Sequence, residues 1–362
     1  MAAMEGHLIT VDGKAEHLDV ANINRLMESG THFWADIEGV DDEVVALLSD
    51  TFHFHPLAVE DAEHFGQRPK IDMYEDFALL VVYGATAEAR LAEVHCFYTE
   101  SFLVTVHHQP CPDFSGLAER LARRSGTAAD HVMLLYRVVD TLVDGYFPVL
   151  SNLDDKIDEL EDEILERPTE EQLGRLFDMK RSLISMRKVV TPQRDMFASL
   201  VGSGDSLPGM TPDAERYFRD LYDHLIRISD LVDSYRDLMT GVLDTHLSTV
   251  SNRLNVVMKQ LTIIATIFLP LSFLTGFFGQ NFGWMVDRIT SMPVFIGAGI
   301  GVQVLVVVGL LALFRKRGWL TSDGTVPSAT PARRPRSSRD GRWHSLSPRL
   351  PGTPEPSAGH GS

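Results

Sequence analysis

Cysteine is scarce in this chain, and several chemical signatures are missing. Only Cys96 and Cys111 occur among 362 residues, which argues against a disulfide framework and against a cysteine-based zinc site. The sequence contains neither a phosphate-binding glycine loop nor a combination of nucleophile, base and orienting group. We therefore expect a protein that is not an enzyme, that needs no organic cofactor and that has no nucleic-acid partner.

A targeting signal is also missing from the start of the sequence. Met1–Thr10 lacks a basic stretch followed by an apolar core, so no signal peptide is predicted. The large N-terminal part is therefore expected to stay inside the cell. His53, His55 and His64 could suggest zinc, but without cysteines or a regularly spaced third ligand they are interpreted as surface or hydrogen-bonded core histidines, with a zinc site as the alternative.

A long hydrophobic run dominates the C-terminal third. Residues 261–278 carry no charge, and about 20 such residues are enough to cross a bilayer. The run closes on the small polar tripeptide Gly279-Gln280-Asn281. We therefore predict a membrane protein whose polar tripeptide lies at the far end of the span, where a selectivity filter would be placed.

A second apolar run follows a short linker. It extends from about Met292 to Phe314 and ends in Arg315-Lys316-Arg317, so the two runs are predicted to form a transmembrane hairpin. The basic cluster after the second run favours the cytoplasm for both termini. The expected location is the plasma membrane, with two spans in contact with lipid.

The first part of the chain mixes strands and helices. The alternating runs Phe77–Tyr83 and Phe102–Val106, together with helical pieces such as Glu43–Leu48, predict an α/β domain in which these two runs pair. The net charge of −17 suits a large solvated domain. An α+β membrane protein is therefore the predicted fold class.

Helices dominate after about residue 128. Val149–Leu200 is predicted to form two antiparallel helices that are separated at Arg167-Pro168-Thr169, because proline can begin a helix but not continue one. The tail beyond Leu320 is rich in Pro, Ser, Gly and Arg and is predicted to be disordered. The predicted domains are 1–127 (α/β), 128–257 (helical hairpin and stalk), 258–317 (transmembrane hairpin) and 318–362 (basic tail).

Two acidic stretches allow two interpretations each. Asp154–Glu166 is either a solvated helix face or a surface that concentrates cations near a pore. Four aspartates lie seven residues apart: Asp223, Asp230, Asp237 and Asp244. They form either the solvated flank of a coiled coil or, if several copies surround an axis, stacked rings of carboxylates.

A heptad pattern predicts a long stalk helix. Bulky residues alternate at spacings of four and three at Phe218, Leu221, Leu225, Ile228, Val232, Tyr235, Met239 and Val242, which predicts packing against other helices. Between Pro212 and the hydrophobic run no proline interrupts the pattern. A single helix of about sixty residues, roughly 90 Å long, is therefore expected to join the α/β domain to the membrane.

One face of the same helix is unsuited to lipid. Small residues, polar residues and apolar residues without a branch at Cβ recur there: Asn255, Met258, Thr262, Ala265, Leu269, Ser272 and Gly276. The face is either a close helix-packing seam or a pore lining with hydrophobic constrictions. Because two spans cannot enclose a channel, the pore interpretation requires an oligomer.

Several of these segments resemble the CorA family of divalent-cation channels. The resemblance is carried by Tyr217–His224, by Ser251–Leu271, by Gly279-x-Asn281-Phe282 and by the N-terminal pieces His55-Pro56-Leu57, Glu60-Asp61, Gln67–Lys70 and Glu163–Pro168. It extends from about residue 30 to Leu320. It implies a funnel-shaped homopentamer with a cytoplasmic α/β domain, a pore-lining stalk helix and passive uptake of Mg²⁺, and in some members of Co²⁺ or Ni²⁺.

The resemblance also implies roles for particular residues. Gly279, Gln280 and Asn281 would form the selectivity filter, where Asn281 holds the hydrated ion. Asn255, Met258, Leu269 and Ser272 would line the pore together with Thr262 and Gly276 of the same face, and Met258 and Leu269 would form the hydrophobic gate. Asp220 would be the stalk half of an inter-subunit site at which intracellular Mg²⁺ closes the channel.

Two positions depart from the family pattern. Gln280 replaces the usual methionine of the tripeptide, which leaves the choice between Mg²⁺ and other divalent ions open. Gly84-Ala85-Thr86 stands where the second regulatory acid is expected, so closure by cytosolic Mg²⁺ is either absent or rebuilt from other acids, with Glu88 as the alternative ligand. A zinc transporter of the related branch and a non-conducting membrane-anchored scaffold are the alternative functions.

Overall fold

The computed structural model describes residues 5–10, 13–86, 88–109, 111, 114–123, 131–202, 207–280, 283, 287 and 291–319. The chain divides into two compact units, Met1–Arg253 and Leu254–Ser362. The domain boundary predicted at 127/128 and the predicted disordered tail lie outside the described residues.

A seven-stranded sheet forms the centre of the first unit. Its strands are β1 (Glu5–Thr10), β2 (Ala15–Glu16), β3 (Phe33–Glu38), β4 (Lys70–Met73), β5 (Ala78–Ala85), β6 (Leu91–Tyr98) and β7 (Phe102–His107). They lie in the order β2-β1-β3-β7-β6-β5-β4. Neighbouring strands are antiparallel, except that β3 and β7 are parallel.

The predicted pairing of the runs Phe77–Tyr83 and Phe102–Val106 was wrong. Strand β6 lies between them: Val81 pairs with His95, and His95 pairs with Val106. The physical reason is chain connectivity, because each short loop returns the chain antiparallel to the preceding strand and so places β6 beside both β5 and β7.

Helices cover both faces of the sheet. On one face, Leu79 and Phe97 share a core with α1 (Val20–Glu28), α2 (Asp42–Ala46) and α3 (Pro56–Glu63). On the other face, Leu80 and Cys96 share a core with α4 (Phe114–Arg123), α5 (His131–Asp144), α6 (Tyr146–Glu166), α7 (Glu170–Gly202) and α8 (Pro212–Phe278). The alternation of side chains along each strand therefore supplies two separate cores.

The helical hairpin α6–α7 confirms the prediction for Val149–Leu200. Its turn is held by a reciprocal cap: the Thr169 backbone N–H donates to Gln172 Oε1 at 2.9 Å, and the Gln172 N–H donates to Thr169 Oγ1 at 3.4 Å. Arg175 of α7 donates to Glu163 of α6 at 2.8 Å. Helix α6 therefore ends before Pro168, and α7 begins after it with its own N-terminal cap.

Helix α8 confirms the predicted stalk and its seam. Seven of the eight seam positions are buried, and Tyr235 is half-buried. The Phe218 ring lies 6.0 Å from the ring of Tyr136 in α5 and 6.3 Å from that of Phe197 in α7. Within the first unit, the heptad therefore packs on helices of its own chain.

The second unit contains the last part of α8 and a second apolar helix, α9 (Met292–Lys316). Helix α9 includes π-helical turns at Phe295–Gly301 and continues as α-helix over Val302–Lys316. Both α8 and α9 are long and apolar enough to cross a membrane. Arg315 and Lys316 occupy the last turn of α9.

Candidate functional site

The face of α8 predicted to line a pore is exposed along the whole of its length. This holds for all seven of its residues, Asn255, Met258, Thr262, Ala265, Leu269, Ser272 and Gly276. Met258 is 60% exposed and Leu269 is 73% exposed, so the described part of the chain leaves both side chains largely uncovered. The face is therefore available to another molecule.

A different side of α8 meets α9. Leu271 lines a groove together with Val304 and Val307 of α9, and Thr275 accepts a hydrogen bond from Gln303. At 100° per residue, Leu271 lies about 140° and Thr275 about 100° from the centre of the face that contains Thr262 and Leu269. The second span therefore leaves the polar face of α8 uncovered.

Gly279 and Gln280 form the turn at the end of α8. The Gly279 N–H donates to the Thr275 carbonyl at 2.9 Å, and the Gln280 N–H donates to the Phe277 carbonyl at 3.3 Å. A Cβ on Gly279 would lie 3.0 Å from the Thr275 oxygen, although the φ of this glycine is not in the left-handed region. Close approach of the backbone therefore explains the glycine. Asn281, the predicted ion-binding asparagine, lies outside the described residues.

A cluster of three possible metal ligands surrounds His224 on the stalk. His224 Nδ1 lies 3.7 Å from Asp144 Oδ1 and 4.0 Å from Asp140 Oδ1, both in α5. The three ligand atoms all lie within 4.8 Å of one another. The Nδ1 atom is buried and makes no hydrogen bond among the described residues.

Asp220 lies on the other side of the same ring. Its Oδ2 is 3.9 Å from His224 Nε2, one helical turn away. A carboxylate on the second nitrogen of a ligand histidine fixes the orientation of the ring and increases its basicity. At 3.9 Å, Asp220 does not form a hydrogen bond with His224 Nε2; it lies beside the cluster of Asp140, Asp144 and His224.

The electrostatic surroundings of the cluster are acidic. Burial raises the pKa of the Tyr136 hydroxyl, and the carboxylates of Asp140, Asp220 and Asp144 raise this pKa further, because each disfavours a second negative charge. The carboxylates converge on one region between α5 and α8. A divalent cation is the species that such a region would attract.

An acidic side chain does not fit at Gly84, the first residue of the segment expected to supply a second regulatory acid. Gly84 in β5 packs on α5, where a Cβ would lie 2.9 Å from the side chain of Leu142 and 3.0 Å from its carbonyl oxygen. Glu88, the alternative ligand, is exposed and forms an ion pair with Arg90. Close packing of β5 on α5 therefore explains the departure at Gly84.

The other candidates have surface positions. Asp223, Asp230, Asp237 and Asp244 are all exposed on α8. His55 caps α3 by accepting the Leu57 N–H at 3.2 Å, and His64 Nδ1 lies 2.9 Å from the Glu60 carbonyl. In the described part of the chain, the histidines for which a zinc site was the alternative interpretation form no ligand cluster.

Sequence reasoning missed Asp140, Asp144 and the role of His224. The two aspartates are four residues apart in α5, and Asp220 and His224 are four apart in α8, so each pair lies on one helix face. This spacing of four residues could have identified both pairs as candidate metal ligands from the sequence. The contact between the two faces depends on the packing of α5 against α8, which the sequence does not provide.

The fold defines a class of membrane protein in which a large α/β domain is joined by one long helix to a transmembrane hairpin. Residues 29–316 match the model of the CorA-like Mg²⁺ transporter family, and the chain belongs to this family. The family description is that of a transporter, so the prediction of a protein that is not an enzyme is confirmed.

Curated relatives lie in two branches. The chain is 37% identical over 314 residues to the cobalt/magnesium transport protein CorA of Thermotoga maritima, with 83% of this chain and 87% of the relative covered. It is 29% identical over 294 residues to the zinc transport protein ZntB of Yersinia enterocolitica, with 79% and 88% covered. Both similarities extend over most of each protein.

The fold resembles that of a solved transporter. The complete structure of the CorA magnesium transporter from Methanocaldococcus jannaschii matches with a TM-score of 0.71 at 24% sequence identity, covering 80% of this chain and 91% of that chain. The predicted α+β membrane fold, with its N-terminal α/β domain, long helix and C-terminal apolar helix, is thereby confirmed.

Proposed function

We propose that the chain forms a homopentameric channel for divalent cations in the plasma membrane, with Mg²⁺ as the preferred ion and Co²⁺ or Ni²⁺ as further substrates. The observation that carries the proposal is the exposed small and polar face of α8, which lies away from α9 in a chain of the CorA-like family. Five copies placed around an axis would turn this face inward and enclose a path.

The chemistry of the path suits a hydrated ion. Mg²⁺ loses its water reluctantly, so amide and carbonyl oxygens at Gln280 and Asn281 would hold the ion through its water shell. The membrane potential then draws the ion inward with about 2.3 kcal/mol per charge per 100 mV. Met258 and Leu269 would close the path by excluding water.

Ion uptake into liposomes tests the channel. Purified full-length protein is reconstituted, and the uptake of Mg²⁺, Co²⁺ and Zn²⁺ is measured separately for the wild type, for Asn281→Ala and for Ile264→Ala. Ile264 lies on α8 but outside the proposed pore face, so its variant is the matched control. We expect Asn281→Ala to abolish uptake and Ile264→Ala to retain it; wild-type protein that carries no ion would contradict the proposal.

A zinc transporter is the second candidate, because ZntB of Yersinia enterocolitica is also similar over most of the chain. Gln280 is the position that separates the two candidates. Replacing Gln280 with Met restores the usual tripeptide of magnesium channels, so the Mg²⁺ to Zn²⁺ uptake ratio should rise. A wild-type protein that transports Zn²⁺ but not Mg²⁺ would favour the second candidate.

We further propose that Asp140, Asp144 and His224 bind a regulatory divalent cation, with Asp220 as the orienting or shared ligand. The three ligand atoms lie within 4.8 Å of one another. An imidazole nitrogen favours Co²⁺, Ni²⁺ or Zn²⁺, whereas Mg²⁺ prefers the carboxylates.

Cation-dependent melting of the full-length protein in detergent tests this site. We expect added Co²⁺ to raise the melting temperature of the wild type and to raise that of His224→Ala much less. Asp213→Asn is the control, since Asp213 lies on the same helix and its side chain is 85% exposed. An equal shift in the wild type and in His224→Ala would exclude the site.

A further inference from the structure

Two polar side chains meet between the spans, where their neighbours are apolar. Gln303 Nε2 of α9 donates to Thr275 Oγ1 of α8 at 3.3 Å. Gln303 is flanked by Val302 and Val304. In hydrocarbon an amide group finds no water to bond, so a partner on the neighbouring helix satisfies one of its donors.

Thr275 links its hydrogen bond with Gln303 to the tripeptide that begins at Gly279. The hydroxyl of Thr275 accepts from Gln303, and the carbonyl of the same residue accepts from the Gly279 N–H at 2.9 Å. A residue with a side chain would crowd this position, because a Cβ at 279 would lie 3.0 Å from that carbonyl oxygen. The position of Thr275 therefore determines the position of the turn that Gly279 and Gln280 form.

Apolar contact alone defines this interface poorly. Beside the hydrogen bond lies an open groove of about 280 Å³, which is lined by Leu271, Gln303, Val304, Val307 and Val308. Smooth aliphatic surfaces with a gap between them allow helices to rotate or slide at little cost, because hydrocarbon chains replace the lost contacts. A directional hydrogen bond restricts both motions.

We propose that Gln303 is a positioning residue for the selectivity filter. Its amide holds Thr275, and with it the last turn of α8, at one rotation relative to α9. This role rests on the proposed channel function, because it assigns the filter to the segment after Thr275. Gln303 itself does not contact the ion.

Paired substitutions test the role in full-length protein reconstituted in liposomes. Thr275→Val removes the hydroxyl at constant shape, Thr275→Ser keeps it, and Gln303→Leu removes the amide. We expect Thr275→Val and Gln303→Leu each to shift the Co²⁺ to Mg²⁺ uptake ratio by roughly threefold, the factor that corresponds to about 0.6 kcal/mol for an interhelical hydrogen bond. The double variant should shift the ratio no further than either single variant, and Thr275→Ser should keep the wild-type ratio.

Val307→Ala is the matched control, since it enlarges the same groove without changing a polar group. It should lower the melting temperature of the solubilised protein and leave the uptake ratio unchanged. Uptake by the wild type with an unchanged ratio in Thr275→Val and Gln303→Leu would overturn the positioning role alone. Absence of uptake by the wild type would overturn the channel and the positioning role together.

Discussion

At the scale of single residues, a buried polar network joins β3 to β7. Thr105 Oγ1 donates to Asp36 Oδ1 at 2.5 Å and accepts from Trp34 Nε1 at 2.9 Å, while His107 Nε2 lies 3.2 Å from the same Asp36 oxygen. Asp36 and His107 are both 3% exposed. Buried charges of opposite sign stabilise each other only while both are present.

This network predicts a pH-dependent contribution to stability. Burial alone would lower the pKa of His107, but the hydrogen bond and charge of Asp36 outweigh burial and raise this pKa above its ordinary value of 6.5. A raised pKa in the folded state means that the stabilisation is complete below pH 6.5 and is lost as the pH rises through the raised pKa. Asp36→Asn should therefore cost more stability at pH 6 than at pH 9.

Thermal melting of the full-length protein in detergent measures the difference. Glu28→Gln serves as the control, because Glu28 is an exposed acid on α1 and should lower the melting temperature little at either pH. If Asp36→Asn lowered the melting temperature equally at pH 6 and pH 9, the pair would not contribute through the charge of His107.

At the scale of elements, the seam of α8 predicts a sharp contrast between neighbours. Met239 is completely buried, whereas the adjacent Leu238 is 48% exposed. Met239→Ala leaves a cavity and should lower the free energy of unfolding by about 2–5 kcal/mol. Leu238→Ala should change it by about 0.5 kcal/mol or less. Denaturant unfolding of both variants compares the two values, and similar costs would contradict the assignment of the seam.

A second element-scale prediction concerns the attachment of α7 to the sheet. The fully buried Gln193 accepts the Tyr83 N–H at 2.7 Å and donates to the Tyr83 carbonyl at 3.2 Å. Pairing with β4 ends at Val81, so Gln193 replaces the missing strand.

Gln193→Leu would leave both backbone groups of Tyr83 buried without partners, at about 1–3 kcal/mol each. We expect a clear fall in the denaturation midpoint of the full-length protein. Ser185→Leu makes the same apolar addition at an exposed position of α7 and should have little effect. Equal midpoints for the two variants would show that the side chain of Gln193 is dispensable.

The strands and helices show what a sequence can predict. The heptad of α8 and the break at Pro168 were found correctly because helix periodicity and proline stereochemistry are local. Strand β6 was missed because Glu93 and His95 interrupt its apolar pattern. Their burial depends on distant partners, since Glu93 accepts the backbone N–H groups of Gly66 and Gln67 and lies 2.9 Å from His95 Nε2.

The candidate site likewise contains a part that could be predicted from the sequence and a part that could not. The polar face of α8 follows from helical periodicity, so Asn255, Met258 and Leu269 could be placed on one side from sequence. The cluster at His224 could not, because it requires α5 and α8 to pack at one register. The roles of the pore residues remain predictions.

At the scale of the whole molecule, the net charge of −17 predicts a dependence on ionic strength. Asp223, Asp230, Asp237 and Asp244 are exposed on α8; if they surround a path, they raise the local cation concentration. Changing all four to Asn should reduce divalent-cation uptake at low salt and reduce it less at high salt, where screening acts over about 10 Å at 0.1 M.

The matched control neutralises four exposed acids outside both acidic stretches instead: Glu28, Asp42, Glu63 and Glu75. This variant has the same net charge as the α8 variant. Equal uptake by the two variants would indicate that total charge, and not the position of the aspartates on the stalk, governs the rate.

The short outer strands of the sheet have a consequence for solubility and assembly. Strand β2 contains only 2 residues, and β4 contains 4 and carries the ion pair Lys70–Asp72. Short and charged edge strands resist the addition of a foreign strand, which is how amyloid-like aggregation begins. Neither outer strand therefore offers a long, uncharged edge to which the sheet of another molecule could be added.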